Sequence, residues 1–214
     1  MRQISIFLIL ISYNSIAQSD TTKNEDKKWT VSTLLFSNNI HNTFISFEPN
    51  YLNGIFVKRK LNNFSFRIGM EHSLQKINEG LKSNGDYIVR GYYKEKALLL
   101  GFEKGRKYSR FRPYLAFDLI GMNLKSNYSY QQDSINKIAN YEGFGIGGIP
   151  AVGFEFKFTN SLSISLESRL QLIYFYTKNT ITNLAITEEE VINIHEYFNP
   201  TLKVFGNVTI NVSF

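Results

Sequence analysis

Glu71, His72 and Ser73 stand side by side and bring together the acid, base and hydroxyl of a nucleophilic hydrolase. A triad of that kind works only when the base lies within hydrogen-bond reach of the nucleophile. The surrounding stretch, "FRIGMEHSLQ", alternates as a strand does, and neighbours in a strand point to opposite faces. Ser73 and Glu71 would then share one face while His72 projects from the other. The three read as strand residues, with His72 near a membrane interface, and no catalytic residue is assigned.

Two further stretches invite chemistry. "ITEEEVINIHEYF" gathers Thr187, Glu188, Glu189, Glu190, His195 and Glu196. The spacing of Thr187 and Glu190 suits a capping box at the start of a short helix. The clustered carboxylates lack the Asp/Asn/Gly spacing of a dedicated Ca²⁺ loop, so the segment reads as a solvated loop. "GFGIGGIPAVG", from Gly143 to Gly153, resembles a phosphate cradle only in its glycines, because no Lys or helix start follows. Glycines alternating with Ile, Val and Phe read as a strand with one crowded face. No cofactor or metal site is expected.

These residues must be positioned by strands. Alternation predicts strands near 29–36, 43–60, 64–76, 87–104, 111–126, 143–158, 162–177 and 196–214, all in one barrel domain over 29–214. The connections at 61–63, 105–110 and 159–161 are short; those at 77–86, 127–142 and 178–195 are long and polar. That asymmetry belongs to membrane barrels, with short turns on the periplasmic side and both termini there. The first strand alternates only patchily, and the fourth loses its phase around "YYKEK". Pro49 and Pro150 fall inside strands, so each needs a bulge or a shifted strand end.

Parity divides the strands into two faces. One is apolar and aromatic: Ile55, Val57, Phe64, Phe66, Ile68, Met70, Leu98, Leu100, Phe102, Leu115, Phe117, Leu119, Phe154, Phe156, Leu170 and Leu172 among others. The other carries Glu48, Lys58, Arg67, Glu71, Glu103, Arg112, Asp118, Glu155, Lys157, Glu167, Arg169 and Lys203, interspersed with small residues such as Gly69, Gly101, Ala116, Gly153 and Ser163. A lipocalin-like barrel would enclose the apolar set; a membrane barrel would turn it outward. The apolar set is too bulky for the interior of about eight strands, and the small residues suit a crowded lumen. The fold class is therefore all-β, a closed antiparallel up-and-down transmembrane barrel of about eight strands. Its charges pair with one another as a structural lumen network, because an unpaired charge there costs several kcal/mol.

The termini and composition agree with export. Arg2, an apolar run from Ile4 to Ile11 and small residues at Ser15 and Ala17 make residues 1–17 a signal peptide, followed by a flexible polar lead-in over 18–28. The 214 residues include no Cys, which excludes a lipid anchor on Cys, disulfides and thiolate metal sites. A net charge of +6 fits anionic lipid headgroups better than nucleic acid in an exported chain. Trp29, Tyr51, Tyr108, Tyr174, Tyr176 and Tyr197 fall toward strand ends as interfacial girdles.

With its exported start, its alternating strands and its terminal "VTINVSF", the chain resembles the small outer-membrane β-barrel proteins, of OmpA-like, OmpX-like and PorT-like kind. The resemblance implies an outer-membrane location in a Gram-negative cell. It also implies that Ile210, Val212 and Phe214 form the signal read by the barrel-assembly machinery. One scaffold of this kind hosts many activities. The expected role is structural, accessory or interactive, with outer-membrane lipid as surroundings and an envelope protein met through the outer loops. The alternatives are a lipid-modifying enzyme resembling a lipid A deacylase, a narrow pore or transporter, and a subunit of a secretion or assembly complex.

Overall fold

Lipid offers the backbone no hydrogen-bond partner, so a sheet that spans a bilayer must close on itself. The chain does so. A computed structural model describes residues 28–39, 48–61, 64–81, 87–106, 109–132, 135–183 and 190–214. The expected signal peptide, most of the expected lead-in, Thr187–Glu189 and Tyr108 lie outside them. Eight strands follow one another: β1 (Trp29–Asn39), β2 (Glu48–Leu61), β3 (Phe64–Leu81), β4 (Tyr87–Gly105), β5 (Phe111–Gln132), β6 (Ile135–Lys157), β7 (Leu162–Asn183) and β8 (Glu190–Ser213). Each pairs antiparallel with the next, and β1 pairs with β8 to complete the ring. At the seam, the Trp29 and Phe214 backbones exchange hydrogen bonds of 3.1 and 3.0 Å.

The sides of the sheet are assigned without ambiguity. Met70, Leu98 and Leu115 are 62%, 61% and 65% exposed on the outer surface, whereas Arg67 and Asp118 on the inner one are 2% and 0% exposed. This is an inverted barrel. Outward rings also pack on each other, as Phe111 does on Phe154 with centroids 5.5 Å apart. Trp29 closes the short-turn end of this apolar belt with the Arg59 guanidinium 5.1 Å over its ring. Tyr174, Tyr176 and Tyr197 are exposed, the first two facing outward.

Crowding inside explains the glycines there. A Cβ on Gly69 would sit 2.2 Å from the Phe56 ring, and one on Gly101 would sit 2.2 Å from both Asp118 Oδ1 and the Phe117 carbonyl. Outward-facing Gly121 has open space instead.

Three expectations need correction. The long polar connections are mostly strand: β3 runs to Leu81, β5 to Gln132, β7 to Asn183, while β6 begins at Ile135 and β8 at Glu190. Above the apolar belt the outward face turns polar, as at Lys94, Lys125 and Lys178, so the alternation fades while the backbone ladder continues. For the same reason the fourth strand never loses phase: Tyr93 and Glu95 face inward, Tyr92, Lys94 and Lys96 outward. Glu190, expected in a solvated loop with a capping-box spacing to Thr187, opens β8 as a strand residue.

The irregular positions also resolve. A bulge between Leu34 and Phe36 shifts the inward parity of β1 from Ser32 and Leu34 to Ser37, which is why its alternation is patchy. Pro49 is the second residue of β2, paired with Asn38 on one side, below which β2 meets β3 only from Gly54 onward. Pro150 pairs with Phe117 on β5, while the β6–β7 ladder skips Ile149 and Pro150 without changing register.

The closed ring and the long strands differ in extent. Among the described residues, β3 has a β2 partner only up to Glu71, and β8 has a β1 partner only from Asn207 onward. Among the described residues, β3 to β8 therefore continue beyond the ring as a six-stranded sheet bordered by His72–Leu81 on β3 and by β8 from Glu190.

The protein extracted in detergent is expected to resist SDS until boiled and to change its gel mobility on boiling. Gly101→Val should abolish that heat-modifiable band by displacing Asp118, whereas Gly121→Ala should retain it.

Candidate functional site

Tilted strands carry alternate residues into a lumen only just wide enough for side chains, so inward charges on different strands must meet. Arg67 on β3 sits at the centre. Its Nε donates to Asp118 Oδ1 at 2.6 Å and its Nη2 to Asp118 Oδ2, a two-pronged pair across to β5. Its Nη1 donates to Glu167 Oε2 on β7 at 2.8 Å. Glu167 bridges two guanidinium groups, because its Oε1 accepts from Arg169 Nε. Arg169 in turn donates from Nη1 to Glu71, packs over the Phe56 ring at 5.3 Å, and lies 2.9 Å from the carboxamide oxygen of Asn207 through Nη2.

A second group lies toward the short turns. Glu103 receives Lys58 at 2.9 Å and Arg112 at 2.7 Å. Arg112 also reaches Glu155 at 3.1 Å, and Glu155 accepts from Ser163 Oγ at 2.5 Å. Tyr114 ties the groups together: its hydroxyl donates to Glu167 at 3.1 Å, and both Lys58 and Arg112 lie 5.6 Å from its ring centroid. The interaction of charged partners this close in a dry interior is strong only because each also has hydrogen bonds to satisfy it. A small cavity beside Ser32, Lys58, Arg67, Arg169 and Asn207 has room for one water molecule.

The structure thus brings together Lys58, Arg67, Glu71, Glu103, Arg112, Asp118, Glu155, Glu167 and Arg169. Lys157 lies half-buried at the last residue of β6. Glu48 pairs through its backbone with Asn39, and Lys203 with Arg169; their side chains lie outside the described residues. Ile210, Val212 and Phe214 line the closing seam, with Val212 opposite Val31 and Ile210 opposite Thr33. A β-bulge between Glu167 and Arg169 distorts the β7–β8 ladder beside this cluster.

His72 and Ser73 take opposite faces: His72 is exposed, Ser73 is buried, and Glu71 is committed to Arg169. These three form no triad. Gly143–Gly153 is wholly strand within β6.

Sequence reasoning missed a second interior layer. Phe56, Leu99, Ile120, Met122, Leu124, Ile149, Ile173 and Phe175 pack inside the barrel, with Tyr93 and Tyr141 against them. This apolar plug lies on the long-strand side of the charges. Its signal was the continuous run "ALLL" at Ala97–Leu100, where both parities are apolar. Above the plug, Tyr197 stacks on Phe175 at 5.3 Å and its hydroxyl lies 3.1 Å from that of Tyr141, which pins β8 to the barrel. Beyond the apolar belt, the hydrogen bond between Lys125 and Glu142, and then their attraction, holds the ammonium above and the carboxyl below their ordinary pKa values.

No protein-family model and no curated protein matches the sequence. Among solved structures, the ferric yersiniabactin uptake receptor of Yersinia pestis is similar at 8% identity and a TM-score of 0.41, over 83% of this chain and 32% of the receptor. This chain thus spans about a third of that receptor's length. The toluene transporter of P. putida is similar at 8% identity and a TM-score of 0.22, over 87% of this chain and 89% of the transporter. Likenesses this distant carry no argument about this chain, whose reading rests on its own geometry.

Removing one member of a buried ion pair strands its partner, at a cost of about 3–5 kcal/mol. Arg67→Met is expected to lower the unfolding free energy in detergent by about that amount. Adding Asp118→Leu should restore a large part of it, because no stranded carboxylate then remains at position 118. Urea titration of the single and double variants gives the coupling. Lys125→Ala, at an exposed pair, should leave the urea midpoint unchanged.

Proposed function

We propose that the protein is a small outer-membrane β-barrel of a Gram-negative envelope whose role is to hold an interaction platform at the membrane surface. The observation that carries this is the mismatch between the closed ring and the long strands. A spanning barrel needs strands of roughly 9–11 residues, yet β5 to β8 have 22, 23, 22 and 24. Among the described residues the surplus forms a six-stranded sheet with two edges.

An exposed edge presents backbone N–H and C=O groups to any extended segment of another protein, which can add itself as a further strand. The β8 edge carries Ile192, Ile194 and Phe198 exposed at 49%, 57% and 59%, on the outward face at alternate positions. Side chains so spaced would give an added strand its specificity, while the backbone would give it affinity. The partner is therefore an envelope protein that offers an extended apolar segment. Membership of an accessory set, such as a secretion or assembly complex, is compatible with that role and with the PorT-like and OmpX-like resemblance.

In this reading the termini are periplasmic, the open sheet faces outward, and Ile210, Val212 and Phe214 serve the assembly machinery. The signal peptide is removed. The barrel carries no catalytic activity and conducts no solute, since the ion-pair layer and the apolar plug follow one another along the lumen.

Two measurements test this. Photo-crosslinking residues placed at Ile194 and Phe198 in intact envelopes are expected to give discrete protein adducts, and one at belt residue Leu115 none. Adducts absent from both edge positions would overturn the interaction role. In planar bilayers the purified barrel should show no steady unitary conductance; a steady one would establish the pore reading instead.

A further inference from the structure

We propose that the outward wall of β3, β4 and β5, immediately above the apolar belt, is a binding site for the phosphate headgroup of an anionic lipid. The inference rests on the bilayer-spanning reading of the barrel. Register and alternation put His72 and Lys76 of β3, Lys94 and Lys96 of β4, and Lys125 of β5 on this one face. His72 pairs directly across from Lys96, and Lys94 directly across from Lys125. Lys94 and Lys125, like charges opposite one another on adjacent strands, repel, so with Lys76 and Lys96 on the same face their juxtaposition favours a bound anion. On these three strands the described outward residues above Met70, Leu98 and Gly121 include no carboxylate; the nearest is Glu142 of β6, held by Lys125 at 2.8 Å.

A second, independent feature points to lipid. Directly below the lysines the belt is notched at Gly121, where a Cβ would meet nothing within 4 Å. Its cross-strand neighbours, Leu98 and Ile146, are 61% and 60% exposed and form the notch walls. An acyl chain fits such a notch, and its phosphate then reaches Lys96 and Lys125. Headgroup phosphate above and acyl chain below is the chemistry of a phospholipid or lipid A, not of a free anion.

The test is titration of the purified full-length barrel, in neutral detergent, with phosphatidylglycerol, read by native mass spectrometry. The triple variant Lys94→Gln/Lys96→Gln/Lys125→Gln is expected to lose affinity by at least about tenfold, since each lysine near an anionic surface contributes materially. Gly121→Leu, which fills the notch, should weaken binding too. Lys60→Gln/Lys104→Gln/Arg110→Gln removes the same charge at the short-turn end and should bind as wild type does. Raising the salt should weaken wild-type binding and not that of the first triple variant. Unchanged affinity in the first triple variant, or equal losses in both triples, would overturn the proposal. Every variant is checked for boil-dependent mobility, so loss of the barrel itself is told apart from loss of the lipid site.

Discussion

The Arg67 guanidinium, clamped between Asp118 and Glu167 in a lumen that admits almost no water, is the interaction on which the interior depends. An ionised side chain there is tolerable only when opposite charge and hydrogen bonds surround it. The demand propagates. Asp118 can reach Arg67 only because Gly101 leaves it space, and Glu167 can serve Arg67 only while sharing its second oxygen with Arg169. Arg169 needs Glu71 on β3 and Asn207 on β8, and the β7–β8 register shifts beside it. One guanidinium thereby fixes side chains on β3, β5, β7 and β8. Apolar replacements of similar volume could fill the same space, so the need for the cluster lies in pairing charges already buried rather than in net stability.

The apolar plug complements that cluster. Water entering from the long-strand end would raise the local dielectric and weaken each ion pair. Leu99, Ile120, Ile149 and Ile173 are almost wholly buried across that approach. The inner surface is thus divided by height, while the outer surface is divided into belt and rim. The two divisions need not coincide, since different solvents impose them.

This division decides what was legible in the sequence. Lipid labels every second residue, so the faces of β3, β5 and β7, with Ile68, Leu115 or Leu170 alternating against Arg67, Asp118 or Arg169, could be read directly. The charged residues of the lumen could be found by the same parity, but not who pairs with whom, because register between distant strands leaves no local mark. Strand length was illegible for a different reason. Beyond the belt, outward positions such as Asn140 and Lys178 are exposed and polar, and polar strands compose like loops. The plug was hidden because Leu99 and Ile120 sit between outward apolar neighbours, so parity carried no contrast there.

The requirement that forces closure also explains why closure can stop. In hydrocarbon each unpaired backbone group costs several kcal/mol, so the ring must be complete wherever lipid surrounds it. In water the same groups are solvated, and an edge is a liability only toward other strands. On β3 the pairing with β2 ends at Glu71, one residue above Met70 in the belt, and the sheet continues beyond that point without β2. Among the described residues, β1 and β2 are the shortest strands of the eight. A protein under selection only for a stable barrel gains nothing from extending the other six, since each added residue costs backbone entropy. The proposed interaction role rests on that extension.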